Sequence, residues 1–269
     1  MRNTIIAAGV NQFIASRPVS SAYMEKEMII IGDIHAQWRK LARQLGYKGI
    51  KDTNLIGVGD FGVGFKHDGR SVEESRRWEE HLLGQLGASL DASRCTLHLL
   101  RGNHDDPAYF NGGRGVEGRI IYHPDYTVLT LEHLHVLLVG GAVSIDRSVR
   151  VPGETWWAGE RARYDEDALE RALEGLERLD VVATHSAPGF AFPPDKLAGD
   201  LAGWLARDPA LADDMREERG IFDRIHAKLL ERGLRPACWF YGHFHRTNRQ
   251  LIDGTHFICL NELRMMRIP

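Results

Sequence analysis

Short apolar runs recur along this chain, and each gives way to a cluster of glycine, aspartate, asparagine or histidine. They lie in "EMIIIGDIH", "TNLIGVGDFG", "CTLHLLRGNHD", "LHVLLVGGAVSID", "LDVVATHSAP" and "ACWFYGHFHR". Cores such as Met28 to Ile31 are too short and too rich in β-branched residues for helices, so each run predicts a strand. Continuous apolar stretches, as in "DVVATH", predict strands covered on both faces.

Between the runs the spacing turns helical. "AQWRKLARQLG" places Trp38, Leu41 and Leu45 on one face, with Gly46 as a C-cap. "SVEESRRWEEHLLGQLG" opens with a serine followed three residues later by Glu74, a capping-box pattern. "DEDALERALEGLERLD" and "REERGIFDRIHAKLLERG" predict two amphipathic helices with solvated charged faces, the second ending at Gly233. Strands alternating with helices predict a layered α/β domain.

No internal repeat and no linker divides the chain, so residues 28–269 read as a single domain behind an N-terminal extension over residues 1–27. In that extension Asn11 and Gln12 interrupt the apolar stretch Thr4 to Val10 and no small-residue cleavage site comes after it. A signal peptide is therefore not expected, and Met24 or Met28 is a credible alternative start. "HSAPGFAFPPDKLAGD" reads as a long surface loop beside a site.

Composition narrows the class. In 269 residues, 43% hydrophobic and 26% charged, no run of eighteen apolar residues could span a membrane. A formal charge of -3 does not call for nucleic acid as a partner. Cys95, Cys238 and Cys259 sit among apolar neighbours and read as buried thiols in a reducing, cytoplasmic setting. The 13 histidines are about twice the average usage, which directs attention to where they fall.

They fall at strand ends. Asp33 with His35, Asp60, Asn103 with His104, His185, and His243 with His245 each come within a few residues after a predicted strand. That is where α/β sheets assemble their sites. Singly, each fragment is as easily a turn or helix cap; their joint order carries the argument. In the D-x-H and H-x-H pairs, residues i and i+2 near a strand end project to one side, so each pair is expected to reach a common centre. Gly32 and Gly242 precede the pairs and permit tight turns there. Carboxylate and imidazole donors without thiolate suit manganese, iron or zinc. Asp33, His35, Asp60, Asn103, His185, His243 and His245 are too many for one tetrahedral ion and suit two metal ions sharing a carboxylate.

The ordered blocks "GDIH", "GD", "GNHD", a histidine after a strand, and "GHFH" resemble those of the calcineurin-like metallophosphoesterases. The resemblance runs from Asp33 to His245. It implies a four-layer αββα sandwich, two mixed sheets flanked by helices, with a dinuclear metal site at strand carboxyl ends. It implies one metal on Asp33, His35, Asp60 and His245, and a second on Asp60, Asn103, His185 and His243. His104 matches the family's non-ligand histidine, the proposed general acid. The activity implied is hydrolysis of phosphoesters, in which two cations lower the pKa of a bridging water for in-line attack. A phosphomonoester on a phosphoprotein or small compound is the expected substrate. A phosphodiesterase or nuclease on the same core and an inactive protein-binding scaffold are the alternatives.

The chain departs from the phosphoprotein phosphatase branch at "GDFGVGF", where Val63 and Gly64 replace that branch's Asp and Arg. Arg101, before "GNHD", is then either a phosphate clamp or a strand-end surface cation. Asp105 either pairs with His104 or caps the segment after it, and Asp146 is a second partner for that histidine. "GGAVSIDRSVRVPGETWWAGE" reads as a substrate-side loop in which Trp156 and Trp157 either anchor packing or form an aromatic wall.

Overall fold

The computed structural model describes residues 28–67, 69–112, 116–193 and 201–268. The N-terminal extension over 1–27 and part of the proline-rich loop, 194–200, lie outside the described residues.

Each expected strand forms: β1 (Met28–Ile31), β2 (Asn54–Gly57), β3 (Thr96–Leu99), β7 (Leu134–Val139), β8 (Val181–Thr184) and β9 (Cys238–Tyr241). Six further strands complete the sheets among the described residues: β4 (Val116–Glu117), β5 (Ile120–Tyr122), β6 (Thr127–Leu131), β10 (Asn248–Ile252), β11 (Thr255–Cys259) and β12 (Met265–Ile268). One sheet has the order β12-β1-β2-β3-β5-β4 and the other β10-β11-β9-β8-β7-β6. In both, four parallel central strands are flanked by one antiparallel strand at each edge. Both sheets are therefore mixed.

Strand pleating explains the layers. Met28 and Ile30 of β1 turn inward to meet Val136, Leu138, Val181 and Phe240 of the opposite sheet. Ile29 and Ile31 turn outward and pack with Trp38, Leu41, Leu86 and Leu90. Those residues lie on α1 (Trp38–Tyr47) and α2 (Val72–Ser93). On the second sheet, Leu137, Val182, Trp239 and Tyr241 pack against Leu169, Phe222, Ile225 and Leu229. Leu169 belongs to α3 (Glu166–Ala172) and the others to α5 (Leu211–Glu231). A short helix, α4 (Leu201–Arg207), precedes α5. Helix, sheet, sheet, helix is the expected αββα sandwich, and both faces of each sheet are covered.

The helices differ from expectation at their ends. Ser71 and Glu74 make the reciprocal capping box, but α2 runs on through Gly84 and Gly87 to a left-handed Arg94. α1 continues past Gly46, and the left-handed glycine is Gly49. The charged stretch from Asp165 stops after two turns, with Gly175 in the left-handed region.

Candidate active site

Asp33 and His35 follow β1, Asp60 follows β2, and Asn103 and His104 follow β3. His185 comes directly after β8, and His243 and His245 follow β9. Loops from both sheets thus meet at one edge of the sandwich. Asp33, His35, Asp60 and His245 each offer one donor atom, all within 4.8 Å of one another. The Nε2 atoms of His35 and His245 stand 2.8 Å apart. His35 Nε2 is 3.5 Å from Asp60 Oδ2, and His245 Nε2 is 3.3 Å from Asp33 Oδ2. A second group gathers beside it. Asn103 Oδ1 lies 3.0 Å from His185 Nε2 and 2.9 Å from His243 Nδ1. His185 Nε2 is in turn 3.1 Å from Asp60 Oδ1. Asp60 therefore turns one carboxylate oxygen to each group.

Neighbouring hydrogen bonds aim these donors. The Nδ1–H of His185 donates to the Val58 carbonyl at 2.7 Å, which turns Nε2 toward the site. The Asn103 amide nitrogen donates to Ser144 Oγ at 3.1 Å, so its oxygen faces the imidazoles. Ser144 is itself gripped by buried Glu160, which accepts from its hydroxyl at 2.6 Å and its N–H at 2.8 Å.

The backbone is equally particular. His35, Asp60, His243 and His245 have φ of 48°, 48°, 64° and 48°, in a region that side-chain-bearing residues rarely occupy. Strand-like alternation at i and i+2 does not hold there: His243 faces the Asn103 group while His245 faces the Asp33 group. Close approach explains the glycines. A Cβ on Gly242 would lie 1.9 Å from Asp33 Oδ1, and one on Gly102 would lie 2.1 Å from Asp60 Oδ1.

A model of the calcineurin-like phosphoesterase family matches residues 27–247. The chain belongs to that family. Calcineurin-like phosphoesterases use a dinuclear metal site; Asp33, His35, Asp60 and His245 of this chain form a candidate metal-binding cluster, and Asn103, His185 and His243 gather beside it. No curated protein matches the chain significantly. Solved structures with a similar course include TT1561 of Thermus thermophilus, at 9% identity and a TM-score of 0.47, covering 89% of this chain and 91% of that one. Phosphopantetheinyl hydrolase of Mycobacterium tuberculosis matches at 18% identity and a TM-score of 0.39, covering 88% and 90%. An archaeal phosphodiesterase matches at 11% and 0.36, covering 90% and 98%.

Charge within this phosphoesterase's site is tightly balanced. Burial pushes Asp33 up to about 7, with Asp60 adding to the shift and His185 and His35 opposing it. Burial also opposes ionisation of Asp60, but the His185, His104 and His35 imidazoles outweigh it and hold that carboxyl well below its usual range. Burial pulls His185 down, yet Asp60 and Asp33 carry it up to about 10. A proton on His185 offsets these carboxylates.

Several expected roles are corrected. Arg101 is neither a phosphate clamp nor a surface cation, being only 4% exposed. Its guanidinium donates to Asp125 and to the carbonyls of Gly159, Glu160 and Arg161, through five hydrogen bonds that use its full donor set. Asp105 does not touch His104 and does not cap the next segment. Its carboxylate accepts the backbone N–H groups of Phe61, Gly62, Val63 and Gly102, bracing the loop that carries Asp60. Burial and Asp60 push its pKa up to about 6 against the Gly102 and Gly62 amides. Asp146 pairs with Arg150 Nε at 2.7 Å instead of with His104. Trp156 and Trp157 do not line the central cavity, and Trp157 packs beside Phe65 at 6.0 Å.

The partner of His104 is Arg150, whose Nη2 donates to its Nε2 at 2.8 Å. Arginine has only donors, so this nitrogen of His104 carries a lone pair. Burial holds the imidazole down at about 4; Asp60 opposes this and Arg150 reinforces it. The ring stacks on Phe65 at 5.0 Å. Arg150 and His104 line a cavity of about 300 Å³ together with Asp60, Asn103, His243 and His245. Sequence pattern places Arg150 in the substrate-side loop, where an arginine beside an aromatic wall suits a phosphorylated substrate, but does not single it out from Arg147. Its i, i+4 spacing from Asp146 is the signal that could have singled it out.

Proposed function

We propose that this protein is a two-metal hydrolase of phosphomonoesters. The observation that carries the reading is the division of Asp60, one carboxylate oxygen toward each donor group. Asp33, His35, Asp60 and His245 would hold one cation and Asp60, Asn103, His185 and His243 the other, with manganese or iron, or zinc, as the ions this donor set suits. Bound there, the cations would supply Lewis-acid polarisation of the phosphoryl oxygens and an activated water at neutral pH. His104, on the cavity wall beside Asp60, is assigned to positioning Arg150, whose Nη2–H its neutral ring accepts, and not to protonating the leaving oxygen. Arg150, held by Asp146, is assigned to a terminal phosphoryl oxygen, the part expected of Arg101. It supports a monoester because such a group has three terminal oxygens, enough for two cations and a guanidinium, where a diester has two. The partner is then a phosphorylated compound. A cytoplasmic setting is supported by three cysteines without disulfides.

The test joins elemental analysis of the purified protein to parallel assays, with Mn²⁺, on p-nitrophenyl phosphate and bis(p-nitrophenyl) phosphate. Two metal ions per chain and a higher kcat/KM for the monoester are expected. A diester preference would overturn the monoester assignment alone, and no turnover of either ester by the metal-loaded protein would overturn the whole reading. Arg150→Ala should lower kcat/KM for the monoester about 10²-fold at unchanged metal content.

A further inference from the structure

The cavity that receives the donor groups has a second half of opposite character. Its far wall is made by Ile145, Phe192, Leu201, Trp204, Met215 and Phe244. This wall begins beside the metal donors, for the Phe244 ring stands 5.0 Å from that of His243 and 4.8 Å from that of Phe192. Behind it lies a small hydrophobic cluster separate from the sandwich cores, in which Val143, Leu201 and Leu211 are buried under Ile145, Trp204 and Met215.

Ion pairs fix the wall to the loop that carries Arg150. Arg147 bonds Asp208 at 2.5 Å and Asp214 at 2.6 Å, and Arg161 bonds Asp214 at 3.0 Å and Glu217 at 2.7 Å. The phosphate-facing arginine and the apolar wall therefore form one rigid recess. Among the described lining residues, the charged groups outside the donor sets and His104 are Asp146 and Arg150, which pair with each other.

We infer that this recess selects phosphomonoesters whose esterified group is a small apolar one, aryl or alkyl, seated against Trp204, Phe192 and Met215. The inference rests on the phosphomonoesterase reading and adds the substrate class to it. A sugar, glycerol or seryl group placed there would lose water from its hydroxyl or amide groups without finding replacement partners, which disfavours it. An aryl or alkyl group loses nothing of that kind and gains contact with six apolar side chains. The volume, at the small end of the roughly 300–1,000 Å³ usual for ligand cavities, suits a compact molecule better than a polymer segment.

Two measurements test it. First, metal-loaded protein is titrated calorimetrically with phenylphosphonate and with the equally non-hydrolysable 2-hydroxyethylphosphonate. Tighter binding of phenylphosphonate by about tenfold or more is expected, and equal or reversed affinity overturns the inference even if no turnover is ever seen. Second, kcat/KM is compared for 1-naphthyl phosphate, hexyl phosphate, glycerol phosphate, phosphoserine and a phosphotyrosyl peptide. The two free apolar esters should lead, and a lead by glycerol phosphate, phosphoserine or the peptide overturns the inference while leaving the hydrolase reading intact. Trp204→Ala should reduce the ratio of naphthyl to glycerol phosphate kcat/KM about tenfold or more. Met215→Ala serves as the second variant should the first fail to fold, and an unchanged ratio in a folded variant removes the wall from recognition.

Discussion

Among single residues, Gly242 and Arg150 show how chemistry here depends on small distances. Gly242 lies beneath Asp33 so closely that any Cβ would meet its Oδ1 at 1.9 Å. The Gly242→Ala protein should therefore keep its far-UV circular dichroism but bind less metal by elemental analysis, because Asp33 must move. Wild-type metal content in that variant would refute the close-approach argument. The contrast between the two arginines is instructive. Arg101 stands directly before the motif, yet its side chain runs beneath Gly140 and Gly141 to a buried web of carbonyls; Arg150, many residues later, meets His104.

Elements are joined near the site by buried acids whose partners are hydrogen-bond donors. Glu218 of α5 accepts from the Val143 N–H after β7 and from the Ser186 hydroxyl after β8. Burial pushes its carboxyl up from the usual 4.5 to about 7, against those two hydrogen bonds. The fold thus prefers Glu218 protonated. Its contribution to stability is whole below about pH 4.5 and is lost as pH rises toward 7. Glu218→Gln should remove that limb, so that urea unfolding from pH 5 to pH 8 shows wild type losing on the order of 2 kcal/mol relative to the variant. Parallel stability profiles would show that the carboxyl does not carry the shift.

Across the whole molecule, the proposed metal donors come from both halves of the sandwich. Loops after β1, β2 and β3 supply Asp33, His35, Asp60 and Asn103, while loops after β8 and β9 supply His185, His243 and His245. A cation that binds only this assembled edge ties one sheet to the other. The melting temperature should then rise with Mn²⁺ concentration, by about 2.7 kcal/mol of stability per site at a hundred times Kd, and fall on chelation. Asp60→Asn should lose more of this gain than His35→Ala, since Asp60 faces both groups and His35 only one. Thermal scans over a Mn²⁺ series check both, and a melting point insensitive to metal would refute the bracing role.

Strand runs and motif order are legible in the amino-acid chain alone because both are local. A buried parallel strand must be apolar along its length, and the residues that leave its carboxyl end keep their place in the chain whatever packs around them. Hence β1, β2, β3, β7, β8 and β9, the order of the candidate donor residues after them and the layered class can be read directly. The edge strands β6 and β10 cannot, because their exposed faces admit polar residues and blur the pattern. Nor can the shortness of α3, the division of His243 and His245 between two groups, or the apolar wall from α4 and α5. The first depends on where a glycine turns left-handed, the second on backbone conformations that abandon the strand pleat. The wall depends on ion pairs such as Arg147 to Asp208, 61 positions apart, which bring a separate helix over the site. Which arginine reaches the cavity is set by packing between distant loops, and no local pattern encodes it.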